Sequence, residues 1–370
     1  MIANKIKDSK IHYKADLYHK VDYQGMMDNE HDNSAYTSQY NYITHFVKPF
    51  FSTGGSPQPE QYTPTLNTNL AFFSKFIPTR SIRNTHFQLH YTMKAITEHD
   101  VLFVSSDSIN LLNTVAGEEK KILDCSYSKF IDFDIESGLL LGNDKEKAVI
   151  YQTKSQEYVK NVKFYDNDDR IGRMKFFNNG FDNKVVVIAN SVNNYIWDPI
   201  TEKISNSFLS THFTNDTDFN PSNNLFAMAM DDKDIELIDI REGSPGSTLL
   251  KGHKDHNFCI KFINDKVLAS GGQDRTIRIW DLRMNKELAI LNSNGYGFYT
   301  LEYAKTTNTI IALESYLNIC CFSLDKGTWY KDSQILLGEN CSVTKTPSEG
   351  SFYVGTHQVK PGMAKFNLQE

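Results

Sequence analysis

Residues 252–283 read GHKDHNFCIKFINDKVLASGGQDRTIRIWDLR, and the fold is decided there. Three apolar runs, at 256–263, 267–272 and 276–282, are separated by the turn-forming groups Asn264-Asp265 and Gln273-Asp274-Arg275. Runs rich in Val, Ile and Phe but too short for helices are the signature of strands joined by tight turns. The same texture extends from about residue 69 to the end of the sequence. VLFVSS at 101–106, KVVVIANS at 184–191 and NLFAMAM at 224–230 each read as a buried central strand ending at a turn. An all-β fold follows.

The stretch also repeats. With Trp280 as anchor, a short strand after a polar turn recurs with Leu112, Tyr151, Trp197, Ile238, Phe322 and Phe366 in the same place, at separations of 39, 46, 41, 42, 42 and 44 residues. A period of ~40–45 residues with Trp-Asp at the anchor resembles the WD40 repeat, and the resemblance implies a propeller of four-stranded blades. Seven anchors predict a seven-bladed WD40 β-propeller over 69–370. The last anchor lies four residues before the end of the sequence. The final blade therefore needs its outer strand from elsewhere, and the segment around 72–86 is predicted to supply it. Closure of that kind removes open sheet edges. It also accounts for the length, since 370 residues exceed what one ordinary core organises, whereas repeats grow by addition.

Residues 1–68 have a different texture, with seven tyrosines, few aliphatic residues, and prolines at Pro49, Pro57, Pro59 and Pro64. Such a segment buries too little apolar surface to offset its chain entropy unaided. It is read as an N-terminal extension, partly disordered or docked on the propeller. Its lysines at 5, 7, 10, 14 and 20 are interspersed with Asp8 and Asp16, the pattern of a solvated tail.

Net charge is −6, from 39 basic and 45 acidic residues, with no long block of one sign. That argues against a general nucleic-acid binder working by phosphate neutralisation. No apolar run approaches the ~20 residues that span a bilayer, so a membrane protein is excluded at this level. Five cysteines without a C-x-x-C pair indicate neither a disulfide framework nor a zinc site. The opening MIANKIKDSK lacks the apolar segment of a secretory signal. A cytosolic or nuclear protein is the expectation.

Within the deciding stretch, His253, Ser270, Asp274 and Trp280 resemble the hydrogen-bonded tetrad of WD40 repeats. That resemblance implies that Asp274 accepts from the histidine, which in turn reaches the serine hydroxyl and the indole N–H. Ser, His and Asp are also the ingredients of a nucleophilic triad, but Ser270 lies inside an apolar strand, where no substrate reaches it. His253 and His256 form H-x-x-H with no suitably spaced third ligand, and Cys320 and Cys321 alternate across a strand. Phosphate-loop, dinucleotide and zinc-hydrolase motifs are absent. No catalytic residue, cofactor or metal is predicted.

Three stretches, 85–102, 249–283 and 353–368, further resemble a group of fungal and plant WD-repeat proteins. That likeness bears on register rather than on activity. WD40 proteins are typically assembly platforms, and their contacts often come from the start of each inner strand and from the residue before the turn aspartate. Carried onto this sequence, the candidate partner contacts are His256, Phe258, Gln273, Asp231, Asn215, Arg170, Tyr296 and Phe298. Arg241 and Arg283 each follow the anchor's Asp by two residues in consecutive repeats. They resemble the tandem WDxR box through which receptors of cullin-4 ubiquitin ligases contact the DDB1 adaptor, although an arginine there also simply pairs with rim carboxylates. The leading expectation is a non-catalytic protein–protein interaction scaffold, with a DDB1-type substrate receptor as the alternative.

Overall fold

The computed structural model describes residues 65–66, 70–83, 91–125, 130–144, 147–155, 157–162, 171–178, 183–189, 192–241, 247–293, 297–314, 318–325, 328–335, 339–357 and 361–369. All lie within Pro49–Glu370. They form six sheets of four strands and one of five. The innermost strands, taken along the chain as sheets one to seven, are Met93–Ala95, Asp132–Asp134, Ile171–Asn178, Thr214–Asn220, Asn257–Asn264, Phe298–Ala304 and Glu339–Lys345. From each, three further strands follow outward as successive antiparallel neighbours.

Second strands carry the apolar runs. In Asp100–Val104 and Leu225–Met230, every residue after the first of the former and after the first of the latter is buried, Phe226 through Met230 completely. Such strands are covered on both faces, so they read as continuous apolar runs rather than as alternation. Third strands are Ser108–Asn113, Lys147–Gln152, Asn193–Asp198, Ile235–Asp239, Thr276–Asp281, Asn318–Asp325 and Gly362–Leu368. One sequence anchor sits on each. Trp280 pairs across to Leu268, Trp197 to Val185, Ile238 to Phe226 and Phe366 to Phe352. Outer strands such as Glu118–Asp124 (EEKKILD) are polar and largely exposed, which discourages edge-to-edge pairing with other chains.

The cores lie between neighbouring sheets. One cluster joins Cys259, Ile277 and Ala289 of the fifth sheet to Phe298, Ile310 and Phe322 of the sixth. Another joins Met93, Val101 and Leu112 of the first to Tyr353 and Met363 of the seventh. Backbone seams reinforce this packing. Phe176 N–H donates to Asp132 Oδ2 (2.9 Å), Ile260 N–H to Asp216 Oδ2 (3.2 Å) and Phe262 N–H to Asp218 Oδ2 (2.9 Å). Ala95 N–H donates to Thr344 Oγ1 (2.9 Å), stitching the first inner strand to the last. The architecture is an all-β propeller.

Ala71–Pro78 is the outer strand of the seventh sheet, antiparallel to Gly362–Leu368, with Phe73 opposite Phe366 and Pro78 opposite Gly362. The strand is shorter than the 72–86 segment read from the sequence. Pro78 ends it, having no N–H to continue the ladder; residues 79–83 carry no strand, and 84–86 lie outside the described residues. Gly362 is required where the two ends meet, because a Cβ there would sit 2.6 Å from the Ile77 carbonyl oxygen.

Two residues of the proposed 1–68 extension are among those described. Thr65–Leu66 forms a fifth strand on the sixth sheet, parallel to Thr328–Ile335, with Thr65 opposite Tyr330 and Leu66 opposite Lys331. Edge pairing uses backbone groups only, so composition does not reveal it. The rest of the proposed extension, 1–64 and 67–68, lies outside the described residues.

Candidate interaction surface

The fifth sheet brings His253, Ser270, Asp274 and Trp280 into one hydrogen-bonded chain. Asp274 sits in the turn between the second and third strands, while Ser270 and Trp280 lie on those strands. His253 Nδ1 is 3.0 Å from Asp274 Oδ2, His253 Nε2 is 2.7 Å from Ser270 Oγ, and Trp280 Nε1–H donates to Ser270 Oγ at 2.8 Å. One proton assignment satisfies all three: Nδ1–H donates to the carboxylate, and the serine hydroxyl donates to Nε2 while accepting from the indole. Asp274 also accepts from Lys254 N–H and from Thr276 N–H and Oγ1–H. Gly252 completes the set. A Cβ there would lie 2.8 Å from Trp280 Cη2, so the Gly-His pair lets the backbone approach the indole.

Burial pushes the His253 imidazole below its usual value, against the pull of Asp274. Burial alone would raise the Asp274 carboxyl, but its hydrogen bond and charge interaction with His253, with the Lys254 and Thr276 donors, hold it well below the usual carboxylate range. Neutral histidine facing ionised aspartate is therefore the resting state. Ser270 is fully buried and its oxygen is engaged on both sides, so the Ser-His-Asp set offers no nucleophile to solvent.

The candidate contacts separate into three groups. His256, Gln273 and Asp231 are exposed at the end of the strands where the His253–Asp274 pair sits. Asn215 is half-buried there, its Nδ2 donating to Asn257 O (2.7 Å) and to Asp231 Oδ1 (3.1 Å). Phe258 and Phe298 do not belong to an exposed face, because both are completely buried. Each lies at the start of an inner strand with its ring turned into the core, Phe258 against Tyr299 (centroids 5.3 Å apart) and Phe298 against Phe322 (6.1 Å). Strand alternation turns neighbouring side chains to opposite faces, so a shift of one residue in register separates rim from core. Arg170 and Tyr296 lie outside the described residues.

Arg241 and Arg283 occupy equivalent turns at the opposite end of the fourth and fifth sheets. Each guanidinium folds back on the aspartate two residues earlier: Arg241 Nε is 2.9 Å from Asp239 Oδ1, and Arg283 Nε is 3.0 Å from Asp281 Oδ1. Both side chains remain more than 60% exposed. Hydrogen bonds from the arginines lower both carboxyls below their usual range. The ion pairs preset the arginine geometry without hiding it.

Residues the sequence reading missed line the centre. Lys94 pairs with Asp132 (2.7 Å), Lys175 with Asp218 (2.8 Å), and Lys261 lies 3.9 Å from Asp218 and 3.5 Å from Glu302. Arg173 pairs with Asp216 and stacks on the Tyr91 ring, 3.3 Å from its centroid. Tyr91 Oη–H in turn reaches the Phe258 carbonyl (3.2 Å), a contact from the segment ahead of the first inner strand to the fifth sheet, and burial pushes its phenol up to about 12. The signal was present: Lys175, Asp218 and Lys261 stand at 43-residue intervals, the period already used for the anchors. A second omission is His212, at Nδ1···Oδ2 3.6 Å from Asp232 in an exposed counterpart of the His253–Asp274 pair. No group of three or more His, Cys, Asp or Glu suited to a metal occurs among the described residues. Nor does any helix among them have the length and apolarity to cross a membrane.

Comparison with known proteins follows this geometry. A family model described as "WD domain, G-beta repeat" matches residues 243–281. The THO complex subunit 6 homolog of Danio rerio is 37% identical over 68 residues, 18% of this chain and 21% of that protein. DDB1- and CUL4-associated factor 10 of Xenopus laevis is 25% identical over 95 residues, 25% of this chain and 21% of that protein. The chain thus spans about a fifth of the length of these curated relatives. Among solved structures, a chain of the mitotic checkpoint complex crystal structure superposes with a TM-score of 0.69 at 12% identity, covering 88% of this chain and 100% of that one. At that identity the likeness is one of fold.

Proposed function

Because the chain is a WD40-repeat β-propeller, we propose that it is a non-catalytic scaffold for protein–protein assembly, its seven sheets serving as the seven blades of one ring. The observation that carries this reading is the use made of the polar clusters. Ser270, His253 and Asp274 are buried and mutually satisfied, and the central ion pairs join neighbouring inner strands. What remains for recognition is the exposed end carrying His256, Gln273 and Asp231. Polar, exposed loop residues held by rigid strands suit a partner-binding rim. The partners are other proteins, in the cytosol or the nucleus, and no cofactor takes part.

Affinity purification of the full chain at native expression tests this. A stable complex is expected, weakened by combined His256→Ala, Gln273→Ala and Asp231→Ala substitution; a reproducibly solitary monomer would overturn it.

A second reading is favoured by one specific observation. Arg241 and Arg283 project from the same turn position of consecutive sheets, prealigned by their aspartates, and one relative is a DDB1- and CUL4-associated factor. On this reading the chain is a substrate receptor of a cullin-4/DDB1-type ubiquitin ligase, and the two arginines contact the adaptor. Joint Arg241→Ala and Arg283→Ala substitution should abolish co-purification of a DDB1-like adaptor and leave Tm within about 2 °C of the parent. Absence of adaptor from the unsubstituted protein would end this reading.

A further inference from the structure

We propose that the cavity between the inner strands of the third and fourth sheets binds a small apolar carboxylate: an aryl or branched-alkyl group with its carboxylate one or two carbons away. The cavity holds about 250 Å³, and Phe177 and Phe219 near the ends of their inner strands, with Phe226 near the start of a second strand, line it. Among the described residues its apolar lining is Phe176, Phe177, Phe219, Phe226 and Pro221, and its polar lining is Thr217, Asp218 and Lys175. Phe177, Phe219 and Phe226 pack mutually with centroids 4.7–5.0 Å apart, which fixes one wall. A fragment-sized apolar group fits such a space, below the range of ordinary ligand pockets.

Charge decides what accompanies that group. Lys175 also lines the cavity, and its ammonium donates to Thr217 O (2.7 Å) and Asp218 Oδ1 (2.8 Å). An ammonium has three N–H donors, so one has no protein acceptor among the described residues. Asp218 is already engaged: Oδ1 faces Lys175 and Lys261, and Oδ2 accepts from Phe262 N–H. A cationic ligand would bring a third cation to a carboxylate that already faces the Lys175 and Lys261 ammoniums. A carboxylate would receive the remaining N–H, a charge-assisted bond in a mostly apolar setting.

Protonation supplies an independent handle. Burial pushes Lys175 down to about 8; Asp218 opposes this, while Lys261 and Arg173 add to it. Asp132 and Glu302 also act on Lys175, and Lys94, Asp216 and Lys345 belong to the same central group of charges. A bound carboxylate favours the charged form and raises the lysine value, so affinity is full below about pH 8 and falls as pH rises above it.

Isothermal titration of the full chain with phenylacetate, phenylacetamide and 2-phenylethylamine tests the proposal. Phenylacetate should bind at least about tenfold more tightly than the other two, with Kd rising about three- to fivefold between about pH 8 and about pH 9 while that of the amide stays flat. Lys175→Met should remove the preference for the acid. Acetyl-Gly-Gly-Phe with a free or amidated end distinguishes the source: binding of the free acid assigns the site to a protein C-terminus, and binding of phenylacetate alone assigns it to a free small acid. If Lys175→Met does not fold, the acid–amide comparison and its pH dependence on the unsubstituted protein decide. Equal binding of acid and amide, a flat pH response of the acid, or no binding by either acid would overturn the proposal.

Discussion

The fourth and fifth sheets are adjacent, share the same strand order and pack against one another through Ile260, Leu268 and Trp280 on one side and Ala227, Ala229 and Leu237 on the other. They are nonetheless held differently. The fifth spends four side chains on a buried polar chain from Asp274 to Trp280. The fourth has Ile238 where the fifth has Trp280 and Met228 where it has Ser270, and its histidine–aspartate pair stands half in solvent at 3.6 Å. In compensation it gathers Phe219, Phe226, Met228, Met230 and Ile238 into an apolar cluster with Phe177 and Phe208 of the third sheet. One backbone layout is thus secured either by directional bonds that fix register or by undirected burial that fills volume. The polar solution carries the repeat's signature; the apolar one leaves hardly any.

Four measurements test this contrast. The largest effect belongs to Trp280→Ala, expected to cost about 3–5 kcal/mol in denaturant unfolding, because it empties a core position and strands the Ser270 hydroxyl. Ile238→Ala should cost less, about 2–3 kcal/mol; equal costs would mean that the indole N–H adds nothing. Next comes His253→Ala, which leaves Asp274 and Ser270 short of a partner and should cost about 1–3 kcal/mol, against less than about 0.5 kcal/mol for the exposed His212→Ala.

Acid response should separate the two sheets as well. His253 is depressed in the folded state, so the unfolded chain binds its proton first. Its contribution is complete above about pH 6.5 and is lost as pH falls below that value, with a slope of up to about 1.4 kcal/mol per pH unit. Asp274, also depressed, adds to the loss in the same direction below about pH 4. Unfolding titrations between about pH 7 and about pH 5 should therefore show a shallower dependence in His253→Phe than in the parent; identical slopes would remove His253 from the account. The smallest effect is expected of Arg241→Ala and Arg283→Ala, each within about 0.5 kcal/mol, because both guanidinium groups are solvent-exposed and each aspartate keeps the backbone N–H of residue 241 or 283.

Legibility followed the same division. Period and anchor placement were readable because each third strand carries one bulky residue opposite the second strand, and sequence spacing records that directly. The tetrad residues could be named because directional bonds demand particular residue types. Phe258 and Phe298 were misplaced because an apolar residue at a strand start serves rim and core alike, and only the register of the fold chooses between them. Thr65–Leu66 went unnoticed because pairing through backbone groups leaves no mark on side-chain choice. The central charges were overlooked because each appears alone in its own strand, and they gain meaning only when strands far apart in sequence stand side by side.

Those charges have a further consequence that is arithmetic in origin. Passing from one inner strand to the next, Lys94, Asp132, Lys175, Asp218, Lys261, Glu302 and Lys345 change sign at every step. Alternation on a closed circuit needs an even number of places. On the ring of seven proposed above, one junction would set like beside like, and it would fall between Lys345 and Lys94. Lys345 turns away to Glu349, and an uncharged threonine hydroxyl makes the seam bond to Ala95. The mismatch thus lies beside the sheet that joins the two ends of the fold, whose outer strand is Ala71–Pro78. On the seven-bladed ring proposed above, parity would put the one like-charged junction at the closure of the ring.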